Sequence, residues 1–417
     1  MTRPSVTVSS NGGDGGTAGR RAELADLIDK WLKEAHRLPF DPFRQSHAGA
    51  DPHLSDYLYG RDEFKSLLKV GTSLVFAPAG GGKTALRVWV AEVCRTGLGA
   101  GRFFPIVYDL PFAIITAAEA ERRAVYEQTV SQAMAWELFL YLAYRPAVFS
   151  ALPRSAQMTA KALLVRDLPV DLAHYLSQLE AAEDLIDMAA GYDRTAHWDN
   201  PPQVGEIAAF KEAMLSIPAA FEPETPVDLA LWLDLICGPL GFEAVFLLLD
   251  GVDGYPDTLD DLEWTLDLLA PLWELASTWS RQALYLKAFL PIEFASEAAL
   301  RDLTPRPSAV IIIHWTAQKL AEMLELRLEA VSRIEDVSLA HLGERGLKGV
   351  EGKLVEAVMA RSPLPRELLV LVERLLEEHV KRAGPAGRIT AQDLDEALAW
   401  YLNVHPTARP STEEVAP

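Results

Sequence analysis

Residues 74–93 read "LVFAPAGGGKTALRVWVAEV". An apolar run meets three consecutive glycines, a lysine and a threonine, and then a helix-forming stretch. The segment fits the spacing G-x-x-x-x-G-K-[ST], read here as Ala77-Pro78-Ala79-Gly80-Gly81-Gly82-Lys83-Thr84, with alanine in place of the first glycine. Glycines let successive amides turn toward one anion, and the start of the following helix adds its positive dipole end. In that geometry Lys83 reaches terminal phosphate oxygens and the Thr84 hydroxyl is placed to ligate Mg²⁺. Residues Ala79, Gly80, Gly81, Gly82, Lys83, Thr84 and Ala85 are therefore the candidate nucleotide-binding set. A glycine-rich surface turn with an incidental lysine is the competing reading; a strand before and a helix after weigh against it.

Such a loop constrains the rest of the chain. Five short apolar runs read as buried parallel strands: Thr72–Ala77, Phe103–Asp109, Ala244–Asp250, Ala283–Phe289 and Ala309–His314. Helical patterns lie between them, which predicts an α/β core with a five-stranded parallel sheet. Between the second and third runs, residues 113–239 read almost wholly as helices and predict a large all-helical insertion. From Thr316 onward the pattern is helical again. Leu320, Met323, Leu324, Leu328 and Val331 share one face, as do Leu368, Leu369, Val372, Leu375 and Leu376. Thr390 with Asp393 has the spacing of a capping box. The expected organisation is a mobile tail over 1–19, a helix (from about Ala22 to His36) and connector over 20–58, a nucleotide-binding core over 59–318 with its insertion, a helical lid over 319–403, and a tail over 404–417.

The loop needs a partner, a carboxylate at the tip of a neighbouring strand to hold Mg²⁺. "EAVFLLLDGVDGYPD" supplies Asp250 at the end of an apolar run. The carboxyl end of a buried strand opens on the crevice where ligands bind in α/β sheets, so Asp250 is assigned to the metal with Thr84. Asp253 is the candidate for orienting or deprotonating the attacking water. "DGVDG" is also good turn chemistry, and that reading carries weight only if the loop at Lys83 is ignored.

The formal net charge of −20 repels phosphate backbones and disfavours indiscriminate nucleic-acid binding. Cys94 and Cys237 show no paired spacing, so buried free thiols are expected. Residues 1–20 lack the apolar core of a signal peptide. No apolar run reaches the roughly 18 residues that span a bilayer. These features predict a cytoplasmic protein.

Loop, acidic strand end and helical C-terminal segment together resemble the AAA+/STAND group of P-loop ATPases. "DGVD" is similar to the NACHT-type arrangement, in which a small residue follows the magnesium aspartate and an acid sits two positions further on; Gly254 stands where that family often has glutamate. "GRDEF" (60–64) resembles the motif that precedes the first strand and touches the base. "HWTAQKLAEMLELRL" from His314 resembles the strand-to-lid junction, and "SPLPREL" the sensor-2 turn. The resemblance implies ATP and Mg²⁺ as cofactors, with Arg366 reaching the γ-phosphate from the lid. ATP rather than GTP follows from the resemblance and from the lack of an N-K-x-D segment. Lys287, charged within an apolar strand, is a candidate sensor-1 residue or a lysine snorkelling to the sheet edge. Arg281 and Arg301 are candidate arginine fingers acting in trans, with a plain surface role as the alternative. His314 reads as a satisfied core histidine.

Three functions follow from this reading. The first is a slowly hydrolysing switch ATPase that self-associates and regulates a separate effector protein. The second is a nucleic-acid-handling ATPase similar to origin-recognition initiators or transposition regulators. The −20 charge and the lack of a winged-helix segment after the lid count against it. The third is a non-catalytic nucleotide-binding scaffold, with which Ala77, Gly251 and Gly254 are each consistent.

Overall fold

The computed structural model describes residues 15–57, 62–97, 101–195, 198, 200–220, 229–297, 306–332 and 337–406. Five strands form one parallel sheet: β1 (Ser73–Ala77), β2 (Phe103–Asp109), β3 (Ala244–Asp250), β4 (Leu284–Pro291) and β5 (Ala309–Ile312). Their order is β2-β3-β4-β1-β5. The strands are the five apolar runs, trimmed by a residue or two at some ends and, in β4, extended by two residues to Pro291. β4 starts at Leu284 rather than Ala283 because Ala283 has φ +66, a left-handed turn that cannot continue into a strand. β3 is buried along its whole length, as a central parallel strand must be.

The chain divides into two compact units that do not follow chain order. One comprises 60–79 and 83–313, the other 1–59, 80–82 and 314–417. In the first, helices from Phe112–Thr116 to Leu229–Cys237 fill the stretch between β2 and β3. The longest, Glu119–Tyr144, buries Met134, Leu138 and Leu142 in the same core as Ile106, Leu247 and Leu286 of the sheet. The buried Asp167 carboxylate accepts hydrogen bonds from Ser131 Oγ (2.5 Å) and Trp232 Nε1 (2.7 Å), tying three insertion helices together.

In the second unit the helix Gly15–His36 begins inside the stretch expected to be a mobile tail. Ile28, Trp31 and Leu32 from it share a core with Leu328, Leu368, Val372 and Leu375. Both apolar stripes read from the sequence beyond Thr316 are buried, and Thr390 and Asp393 form the capping box. The connector is tied in by Asp51, which accepts from Tyr57 Oη (2.5 Å) and Arg327 Nη1 (3.3 Å). Among the described residues no helix is long and apolar enough to cross a membrane, and both cysteines are free thiols.

Candidate functional site

All five strands run the same way, so Ala77, Asp109, Asp250, Pro291 and Ile312 end at one edge of the sheet. The loop 78–82 leaves that edge and the helix Lys83–Thr96 starts there. Gly80 and Gly82 have φ +81 and +96, conformations that side chains rarely adopt. The buried Lys83 ammonium folds back over the loop. It donates to Ala77 O (3.1 Å) and Pro78 O (3.4 Å) and pairs with Asp253 Oδ2 at 2.8 Å. The Thr84 hydroxyl lies near enough to the Asp250 carboxylate to favour its charged form.

Contrary to the expectation of a neighbouring strand, the acid comes from β3, which is not adjacent to β1. β4 lies between β1 and β3, and the gap is crossed by residues beyond the strand ends: Thr84 at the helix start and Asp253 after β3. Gly251 has φ +72, which turns the chain away immediately after Asp250. A glutamate at that position would be strained.

Behind Asp250 lies a buried ion network that sequence reading missed. Arg87, one helical turn beyond Lys83, places Nε 3.5 Å from Asp250 Oδ2. Its Nη1 lies 3.4 Å from Asp193 Oδ2 and its Nη2 donates to Thr195 Oγ1 (3.4 Å), both in the helical insertion. Burial opposes the charge on Arg87, but Asp193, Asp109 and Asp250 together hold it above the ordinary arginine value. Burial pushes Asp250 above the usual carboxylate range, against the pull of Arg87; Asp109 adds to the rise, and the nearby Thr84 hydroxyl and Gly251 N–H oppose it. Asp193 is taken down to about 2: burial would raise it, but Arg87, Arg95 and the Thr195 hydrogen bonds prevail. The spacing Lys83, Thr84, Arg87 on one helix was the available signal for Arg87. Nothing local marks Asp193.

The donor set suits Mg²⁺. That ion takes few protein oxygens, draws the remainder from water and substrate phosphates, and would find a hydroxyl at Thr84 near the carboxylate of Asp250. Among the described residues no cluster of three or more His, Cys, Asp or Glu side chains could hold a metal without such help.

The C-terminal unit places Arg366 as the second residue of the helix Pro365–Ala383. Residues 80–82 group with this unit. The Arg366 N–H points at Gly80 O (3.4 Å), and a Cβ added at Gly80 would come within 3.0 Å of Arg366 Cβ. Trp315 Nε1 donates to Gly81 O at 2.9 Å.

No family model matches the chain, and no curated protein does. One similar solved structure is that of the Aeropyrum pernix ORC1 protein in complex with DNA. It is 15% identical, with 86% of this chain and 69% of that chain covered and a TM-score of 0.39. A similarity that weak decides neither fold nor function.

Other sequence candidates lie elsewhere. Lys287 is fully buried and aligned with Ser73 at the start of β1, about 13 Å along the strands from Ala77. It donates to Lys69 O (2.7 Å), Gly71 O (2.7 Å) and Ser73 Oγ (3.1 Å), and burial takes its ammonium down to about 7. It is neither at the sensor-1 position nor snorkelling: β4 enters the sheet so early that its fourth residue faces the amino edge. Arg281 is exposed in the turn before β4, at that same far edge. Arg301 lies outside the described residues, as do Gly60 and Arg61 of the "GRDEF" motif. Phe64 of that motif is buried. His314 is half-buried beyond the end of β5.

Proposed function

We propose that the chain binds ATP with Mg²⁺ and works as a slowly hydrolysing switch ATPase of the AAA+/STAND kind, altering its conformation or assembly to regulate a separate effector. The observation that carries the nucleotide part is the Lys83–Asp253 ion pair at 2.8 Å beside the glycine loop, with the Thr84 hydroxyl near the Asp250 carboxylate, residues far apart in sequence. Within this reading the amides of 79–85 and the Lys83 ammonium hold the phosphates. Thr84 and Asp250 hold the metal, which would neutralise phosphate charge when bound. Asp253 accepts the proton of the attacking water. Arg366, packed on Gly80, adds a contact that depends on the γ-phosphate, the differential interaction that a switch requires. Slow turnover fits the Lys83–Asp253 pair, since the proposed base is engaged by the proposed phosphate ligand.

Calorimetry of ATP binding with and without Mg²⁺, on wild type and Lys83→Ala, tests the binding half. Magnesium-dependent heat that disappears in Lys83→Ala is expected; no heat from wild type would overturn the proposal. Mass measurement on the same samples tests the switch. An oligomeric mass and protease sensitivity indifferent to nucleotide would remove that half.

A further inference from the structure

The helix Lys83–Thr96 connects the candidate site to a second polar centre roughly 20 Å away. At its far end lies a cavity of about 500 Å³, walled by the end of this helix, the start of β2, the insertion and Glu243. Three guanidiniums line it, those of Arg95, Arg102 and Arg145, against the carboxylates of Glu137 and Glu243. For a chain of net charge −20 this is a local reversal of sign.

Arg95 is committed, bound through Nε and Nη2 to both oxygens of Glu137 at 2.8 and 2.9 Å. Arg102 is partly free: its Nη2 donates to Tyr141 Oη (2.9 Å) and its guanidinium lies 4.6 Å over the Phe242 ring. Arg145 lies over Tyr141 and Trp198 at 4.9 and 5.7 Å and gives Nη2 to Arg95 O at 2.8 Å. Its buried Nη1 has no hydrogen-bond partner among the described residues, and neither does Nε1 of Trp198, a wall residue only 8% exposed. Buried donors without acceptors are rare and costly. A guanidinium held by aromatic faces is fixed in place while its N–H edge remains able to bond an oxyanion. The Trp198 faces are already taken, by Tyr144 stacked at 4.9 Å and by Arg95 at 5.1 Å. Charge and hydrogen bonding, rather than ring stacking, would select the ligand.

We propose that this cavity is a regulatory site for a small, multiply charged anion bearing carboxylate or phosphate oxygens, read by Arg102, Arg145 and Trp198. Its occupancy is passed on through side chains in series. Arg95 Nη1 lies 3.6 Å from Asp193 Oδ2, Arg87 Nη1 3.4 Å from the same oxygen, and Arg87 Nε 3.5 Å from Asp250. An anion that draws Arg145 inward disturbs its bond to Arg95 O and, through Asp193, the setting of Arg87 against Asp250. This second half rests on the nucleotide reading; the binding half does not.

Calorimetry with citrate and with pyrophosphate at constant ionic strength tests binding. Full-length Lys83→Ala serves as host, so that the glycine loop does not contribute. Saturable heat is expected from at least one probe, and which one responds separates a carboxylate ligand from a phosphate ligand. Arg145→Gln should weaken it tenfold or more. Arg102→Gln, at an exposed position, should weaken it several-fold and covers the case of an Arg145 variant that does not fold. In otherwise wild-type protein the bound anion should change ATP affinity several-fold, and Asp193→Asn should abolish that change while keeping the anion heat. No heat from either probe, or heat unaltered by both arginine substitutions, overturns the site. Anion binding without any effect on ATP affinity overturns the relay.

Discussion

Lys83 Nζ and Asp253 Oδ2 are 2.8 Å apart, with 6% and 20% of their side chains exposed. The ammonium proposed for phosphate is thus paired with the carboxylate proposed for water. Asp253→Asn keeps the shape and removes the competing charge. ATP should then bind roughly three- to fivefold more tightly, in line with the modest value of a partly exposed ion pair. Hydrolysis should fall to background. Weaker binding in the variant would show that Asp253 supports the nucleotide rather than competing with it.

Arg87 is the common partner of Asp193 and Asp250. Removing one member of a buried charged cluster strands the others, at about 3–5 kcal/mol. Arg87→Met should lower unfolding stability by that amount in urea titrations, and Arg87→Lys by less. A neutral outcome for Arg87→Met would mean that water reaches the cluster.

Lys287 supplies three donors to Lys69 O, Gly71 O and Ser73 Oγ. Lys287→Met takes the donor from the part-buried Lys69 and Gly71 carbonyls and from Ser73 Oγ and should cost about 1–3 kcal/mol. ATP affinity should be unchanged. Loss of nucleotide binding with stability intact would restore a direct role for this lysine at the phosphates.

Asp41 gives the clearest dependence on pH. Burial pushes its carboxyl up to about 7; the Phe43 N–H at 2.9 Å opposes the rise, Asp29 and Glu373 add to it, and Arg44 opposes it. The folded chain therefore holds this proton more tightly than the unfolded chain, whose value is near 4. The stability contributed is fully present below about pH 4 and is lost as pH rises toward 7. Asn keeps an oxygen for the Phe43 N–H and carries no charge. Asp41→Asn should exceed wild type by roughly 2–4 kcal/mol at pH 8 and by little at pH 4. Chemical denaturation at the two pH values measures the difference, and parallel pH profiles would refute the assignment.

The strands were legible because a buried parallel strand is a local apolar run, and each of the five runs became one. The glycine loop was legible for a similar reason: its conformations, +81 at Gly80 and +96 at Gly82, are demanded residue by residue. Asp250 was legible as the polar end of an apolar run. Strand order was not, since no local signal reports that β4 sits between β1 and β3. That one insertion into the sheet displaced Lys287 from the edge where its charge suggested a role. Arg87 was half-legible from its spacing to Lys83, whereas Asp193 belongs to an irregular stretch whose composition announces only a turn.

From its sequence alone this chain is an α/β protein with helices between its second and third strands and a glycine loop with left-handed positions at Gly80 and Gly82, because backbone conformation and apolar periodicity are properties of neighbouring residues. The tertiary structure decided which charges meet: Lys83 with Asp253, Arg87 with Asp193 and Asp250, and the helix Gly15–His36 with the C-terminal helices. Those pairings depend on chain crossing and strand order, and the cost of burying an unpaired charge then selects among them.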